Sequence, residues 1–387
     1  MKKDTTALIH HAYQPPAGFE APQVGVHKAS TVLFRDTAAL RSRDWRHKTG
    51  YTYGLHGTPT TFTLEERIAA LEGGRHCVLV PSGLAAIALV NQALLRAGDE
   101  VLLPANVYGP SRELARHELA HWGITHRLYD PMDAAALAAM VGPQTKLVWV
   151  EAAGSVTMEF PDLVGLLRVC RDQGITSAID NTWGAGIAFD AFALGADIVM
   201  QALTKYPSGG GDVLMGSVCT RDDALHERIK LTHMRLGLGV AANDAELLLR
   251  SLPSTALRYH AADATGRALA RWFQQRPEVA QVLHPALEGA PGHAHWRACS
   301  TAAAGLFSVV FDSRYGAAQV DRFVDALRLF RIGYSWAGPM SLVVPYDLGV
   351  MRQPAPYAGT LVRFSIGLED VADLRADLEQ ALGALAT

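Results

Sequence analysis

With 387 residues, of which 49% are hydrophobic, 19% charged and 8% aromatic, the chain can bury one large core and a second smaller one, and its composition excludes disorder. A formal net charge of −3 gives no electrostatic reason to bind nucleic acid or an anionic membrane, so the expected partner is a small molecule.

The chain begins Met1-Lys2-Lys3-Asp4-Thr5-Thr6, with an acidic residue and no apolar run behind its lysines. It does not read as a secretory signal, and a cytoplasmic location is expected. Residues 1–57 show little periodicity and hold Arg41, Arg43, Trp45, Arg46, His47 and Lys48, which suits an arm packed on another subunit. From residue 58 the pattern alternates: an amphipathic helix over 63–71, an apolar strand over 77–80, a helix over 84–95 and a strand over 100–103. Further strands are predicted at 147–151, 176–180 and 198–203, with helical stretches between them. Such alternation predicts a mostly parallel sheet covered by helices on both faces. Residues 77–95 are uncharged over about the length of a membrane span, but Pro81, Ser82, Gly83, Asn91 and Gln92 interrupt them. A strand, a turn and a buried helix account for the run.

After residue 252 the character changes to a long helical segment, a strand over 305–311, a helix over 317–330 and a strand over 362–366, an α+β tail. The expected division is an arm over 1–57, an α/β domain over 58–251 and an α+β domain over 252–387. Cys77, Cys170, Cys219 and Cys299 lie far apart with no C-x-x-C pair, so they are expected to be buried free thiols.

In open sheets of this kind ligands bind where the strands deliver their carboxyl ends. Ser82, Asp180 and Lys205 all fall at or just past such ends. Asp180 stands in Ala178-Ile179-Asp180-Asn181-Thr182-Trp183. Lys205 stands in Thr204-Lys205-Tyr206-Pro207, which runs into Gly209-Gly210-Gly211-Asp212. Pro81-Ser82-Gly83-Leu84 lies between a strand and a helix, where backbone N–H groups and the helix dipole can receive a phosphate; the bland reading of Ser82 is a helix cap.

These segments resemble the pyridoxal 5'-phosphate (PLP) enzymes of cysteine and methionine metabolism, over nearly the whole chain. The resemblance implies the aspartate aminotransferase-like fold, fold type I, with a mostly parallel seven-stranded sheet and a smaller α+β C-terminal domain. It also implies PLP as cofactor and a homotetramer whose active sites are shared between subunits. In such a site a partly desolvated lysine, Lys205, loses its proton near neutrality and can condense with the cofactor aldehyde. Asp180 would pair with the pyridine nitrogen and keep the ring able to accept electrons from the substrate Cα.

By the same resemblance Ser82, Gly83, Leu84 and Thr204 surround the cofactor phosphate, and Tyr108 stacks on the ring. Tyr53 and Tyr108 assist orientation and proton handling. Arg363, within Leu361-Val362-Arg363-Phe364-Ser365-Ile366-Gly367, takes the substrate α-carboxylate, a task suited to a bidentate guanidinium. Gly154-Ser155-Val156-Thr157-Met158-Glu159 is similar to the β-lyase form of a segment that differs in γ-synthases and γ-lyases. Tyr334-Ser335-Trp336 places an aromatic where those relatives have a smaller aliphatic residue. The implied activity is α,β-elimination of L-cystathionine, or of another cysteine S-conjugate, to a thiol, pyruvate and ammonia in methionine biosynthesis; the alternative is γ-lyase or γ-synthase chemistry.

The chain also departs from the family pattern. Leu55, in Tyr53-Gly54-Leu55-His56-Gly57-Thr58, replaces an arginine that reaches a neighbouring subunit's phosphate, which makes His56 the candidate cation, with Arg46 and Lys48 behind it. Ala202 stands where a serine often contributes, Ala153 where proline is usual, and Pro339-Met340 where a Tyr-Glu pair is common. A different reading comes from His117-Glu118-Leu119-Ala120-His121, a formal H-E-x-x-H that would mean a zinc peptidase, although no third ligand follows at a suitable spacing. A third reading, a regulator that keeps the fold and only binds a partner, has no basic surface to support DNA contact.

Overall fold

The computed structural model describes residues 4–11, 13 and 15–385, so the first three residues of the amino-terminal signal reading lie outside it. The apolar runs become strands β1 (His76–Val80), β2 (Glu100–Pro104), β3 (Thr125–Tyr129), β4 (Thr145–Glu151), β5 (Thr176–Asp180), β6 (Ile198–Gln201) and β7 (Gly216–Thr220). They form a seven-stranded sheet in the order β1-β7-β6-β5-β4-β2-β3. β3, β2, β4, β5 and β6 are parallel, whereas β7 runs antiparallel to both its neighbours.

Helices cover both faces, and the alternation along each strand shows it. Cys77 and Leu79 enter one core while Val78 and Val80 enter the other, and the same split separates Val148 and Val150 from Leu147 and Trp149. A strand buried on both sides must read as a continuous apolar run, which is why these were visible in the sequence. β3 was not: its side chains at 125, 127 and 128 are exposed at the sheet edge.

Five further strands, β8 (Val279–Leu283), β9 (Leu306–Phe311), β10 (Arg331–Ile332), β11 (Leu342–Tyr346) and β12 (Leu361–Ser365), form a second sheet in the order β10-β11-β12-β9-β8. One face of this sheet packs Phe307, Val309, Phe311, Val343, Val362 and Phe364 against its own helices. The opposite face turns toward the first sheet, and Ser308 and Arg363, paired in register on β9 and β12, lie on it. Ser308 Oγ donates to the Val156 carbonyl at 2.6 Å and ties the two sheets together. From 15 to 53 the chain is largely exposed, with Leu33 at 89% and Phe19 at 67%.

The helix expected over 317–330 stops at Asp325. The cause is Asp377, on the helix Val371–Leu382, whose buried carboxylate accepts N–H groups of Arg328, Leu329 and Phe330 at 2.8 to 3.3 Å. These donors are turned away from a helical ladder and start the segment that runs through β10 to Tyr334, Ser335 and Trp336. Asp377→Ala is expected to leave them without an acceptor and to cost about 3 kcal/mol, read as a lowered midpoint in urea unfolding, with Asp377→Asn in between.

Candidate active site

At the carboxyl ends of β1, β4, β5 and β6 a cavity of about 560 Å³ opens toward the second sheet. The sequence-predicted Ser82, Gly83, Leu84, Tyr108, Asp180, Thr204, Lys205, Tyr334, Ser335, Trp336 and Arg363 all line it. Local structure explains each placement. Ser82 caps the helix Gly83–Leu94, its Oγ accepting from Ala85 N at 3.1 Å, so the first N–H groups of that helix start at the cavity wall. Gly83 has no substitute here, because a Cβ would sit 2.6 Å from that of Ala202. Thr182 joins two strand ends, donating its N–H to Asp180 Oδ1 at 3.0 Å and accepting Ala202 N–H at 2.9 Å through Oγ1.

Lys205 lies in the turn after β6, and that turn is pinned from below. Tyr206 accepts from Arg258 through its carbonyl at 2.8 Å and from Gly305 N–H through its phenol oxygen at 2.7 Å. Lys205 Nζ donates to Ser335 Oγ at 2.7 Å and lies 5.5 Å from the Trp336 ring centroid. Ser335 is held at φ 83°, unfavourable for a side-chain-bearing residue, while its carbonyl accepts from Arg363 Nη2 at 3.3 Å. Arg363 alternates with Val362 and Phe364 along β12, which aims its guanidinium into the cavity; its centre lies 5.4 Å from the Tyr346 ring, and its Nε is buried without a partner.

The electrostatics suit a reactive amine. Burial, reinforced by the Arg363 guanidinium, pushes Lys205 down to about 8, while Asp180 pulls the other way. Burial raises Asp180 above the usual carboxylate range, opposed by its Thr182 hydrogen bonds and by Lys205.

The family described as Cys/Met metabolism PLP-dependent enzyme matches residues 5–383. This chain belongs to that family. It is similar to the cystathionine beta-lyase of Bordetella avium, 38% identical over 98% of each chain, and to the cystathionine beta-lyase MetC of Escherichia coli (strain K12), 34% identical over 98% of each. Among solved structures it superposes on metB from Corynebacterium glutamicum with a TM-score of 0.91 at 28% identity, covering 99% of this chain and 98% of that one. The fold is therefore the PLP-dependent fold type I, and PLP is the cofactor.

The residues present fit that group. The partnerless Arg363 Nε and the Lys205 amine point to an anionic, carbonyl-bearing occupant, the Asp180 carboxyl suits a pyridinium, and the close approach at Gly83 leaves backbone N–H groups open to phosphate. Tyr53 and His56 do not join the cavity of their own chain; their rings meet edge-on at 5.8 Å on the arm. Within its own chain His56 Nδ1 bonds Thr52 Oγ1 at 2.7 Å, and burial, with Lys230 and Arg43, lowers its pKa from the ordinary 6.5. Lys48 Nζ pairs with the buried Glu65 at 2.5 Å, and Arg46 pairs with Glu227 at 3.3 Å.

His117 and His121 lie at the surface, and the backbone widens into a π turn at Ala115–Leu119 that breaks the regular helical spacing assumed for the H-E-x-x-H reading. His117 Nε2 bonds Glu113 at 3.2 Å, and no group of three metal-ligating side chains occurs among the described residues. Sequence reasoning missed Glu151, Thr182, Tyr346 and Met351 in the cavity wall. Glu151 had a signal, a carboxylate closing an apolar strand at the same end as Asp180. Tyr346 and Met351 had none, because β11 was not read as a strand.

In the cofactor-free protein, Lys205 should react with an acylating reagent with a midpoint near pH 8, as the folded environment lowers its value from 10.5. Arg363→Met removes a repelling cation and should move that midpoint up; Asp180→Asn removes an attracting charge and should move it down. Peptide mapping of the modified protein across pH reads both shifts.

Proposed function

We propose that the chain is a cystathionine β-lyase, cleaving the Cβ–S bond of L-cystathionine to give homocysteine, pyruvate and ammonia. The observation that carries the reading is the buried Lys205 amine, lowered to about 8, set between Asp180 and Arg363 in a family whose full-length relatives bear this name. The cofactor, when bound, supplies an electron sink for the charge released at the substrate Cα.

The side chains divide the remaining work. With the cofactor bound, Asp180 would hold the pyridine nitrogen, Tyr108 would stack on the ring, and the helix start at Ser82, Gly83 and Leu84 with Thr204 would hold the phosphate. Arg363 orients the substrate by its α-carboxylate, its free Nε and the Nη groups offering two parallel donors. Lys205, neutral for part of the time at pH 7 to 8, takes the Cα proton and returns one to the departing sulfur. Ser335 keeps that amine in place before substrate enters. The buried Val156 and Met158 form the apolar part of the wall.

The segment 154–159, whose resemblance to the β-lyase form favours β-elimination, lines the wall through Gly154, Ser155, Val156 and Met158, and its buried Glu159 accepts from Asn106 Nδ2 at 2.8 Å, from Arg352 Nη1 at 3.0 Å and from Thr157 Oγ1. We further infer an arm over 1–57, a cofactor domain over 58–251 and a C-terminal domain over 252–387, in a cytoplasmic homotetramer where Tyr53 and His56 face a neighbouring subunit's site. The exposed apolar side chains of the arm and of Tyr334 and Leu214 at the cavity mouth support that assembly. No helix among the described residues is long and apolar enough to cross a membrane.

Lys205→Ala should abolish lyase turnover with the fold intact, and borohydride reduction of the wild-type holoprotein should leave the pyridoxyl group on Lys205 alone; a label on another lysine refutes the assignment. Pyruvate release from cystathionine supports the β-lyase, whereas α-ketobutyrate shows γ-chemistry. Arg363→Ala should raise KM by about thirtyfold or more, consistent with the ~2–5 kcal/mol of a lost buried charge-assisted contact, and leave cofactor retention nearly unchanged.

A further inference from the structure

The cavity contains a second carboxyl to which the proposed reaction gives no work. Glu151 ends β4, Asp180 ends β5, and the two are direct partners in the parallel register. Both line the cavity, so their side chains leave the sheet on the same side at neighbouring strand ends. Glu151 is 9% exposed, and its Oε2 accepts the N–H of Tyr108 at 2.8 Å. That bond falls at a sensitive place. Tyr108 precedes the helix Gly109–Leu114 without any side-chain cap of its own, and its φ and ψ of −46° and 120° set where the ring goes.

We propose that Glu151 is a positioning residue: it acts as a neutral acid that fixes the Tyr108 backbone so that the phenol ring lines the cofactor cavity, and it leaves Asp180 as the only ionised carboxylate of the pair. Two carboxylates on adjacent strand ends in an apolar wall cannot both stay charged, and the one without a cationic partner gives way. Asp180 has Lys205 nearby to attract it. Glu151 has no such partner among the described residues. Burial, with the Asp180 charge beside it, pushes its carboxyl well above the usual range, against the pull of the Tyr108 and Ser155 N–H groups. The charged side chains of the cavity are then Lys205, Arg363 and Asp180, which favours a phosphate and a carboxylate as occupants more than four charges of balanced sign would.

The inference rests on the PLP reading of the cavity, and one set of measurements separates the two. Cofactor affinity is measured by equilibrium dialysis of holoproteins carrying Glu151→Gln or Glu151→Leu, each alone and with Tyr108→Ala, with a thermal melt for every variant. Glu151→Gln keeps an acceptor oxygen without charge and should weaken PLP by less than about threefold. Glu151→Leu strands the Tyr108 N–H and should weaken it by about tenfold or more. In the Tyr108→Ala background the leucine substitution should add almost nothing, because its effect passes through the ring. Glu151→Ala replaces the leucine variant if the latter does not fold.

A glutamine variant as weak as the leucine one would show that the charge is needed and overturn the proposal. So would a leucine variant with wild-type affinity, or a full extra loss in the Tyr108→Ala background. Failure of borohydride to label Lys205 in the wild type would overturn the PLP reading and this inference with it, whereas labelling with equal affinity across the variants removes only the inference.

Discussion

A primary amine taken out of water beside a guanidinium is the condition on which this site depends. Left exposed, Lys205 would hold its proton until pH 10.5 and have no use as a base near neutrality; burial and Arg363 bring it to about 8. The cost is carried by neighbouring structure. Ser335 accepts the amine's hydrogen bond from a left-handed backbone, Thr182 ties the Asp180 turn to the Ala202 turn, and Tyr206 anchors the Lys205 loop to the second sheet.

The two sheets divide the cavity's polar groups between them. Strand ends of the first sheet contribute Asp180 and the turn bearing Lys205, and its helix start at Ser82 supplies backbone donors. The second sheet contributes Arg363 from β12 and the Tyr334 to Trp336 segment after β10. Coulomb repulsion between Arg363 and Lys205 exists only because these sheets face one another, so docking of the second sheet is itself part of the tuning. The same logic explains why Asp377, far along the chain, matters to the cavity: it decides where a helix stops and the Ser335 segment begins.

Much of this was readable before any coordinates. Strands buried on both faces, such as Leu147 to Trp149 or Ile198 to Met200, announce themselves as apolar runs, and the Asp180 and Lys205 motifs carry enough sequence to be matched to a family. The second sheet was harder. β11 is a five-residue strand interrupted by Pro345, with only Val343 and Val344 buried, and β3 is an edge strand with polar side chains, so neither shows the long apolar run that makes a strand legible. The overlong helix at 317–330 failed for a different reason: its sequence continues to favour a helix, but a carboxylate from another element captures the N–H groups.

By itself the sequence determined which residue types were present and in what local order: an apolar strand ending in a carboxylate, a turn holding a lysine, a capped helix start, an arginine between apolar strand neighbours. These are fixed by covalent order and by side-chain period. Only the tertiary structure decided which of them share a cavity and in what charge state. Glu151 becomes a partner of Asp180 through strand register, burial with Lys230 and Arg43 lowers the His56 pKa, and Lys48 pairs with Glu65. Desolvation and Coulomb terms depend on distances through space, and those distances join residues that the chain keeps tens or hundreds of positions apart.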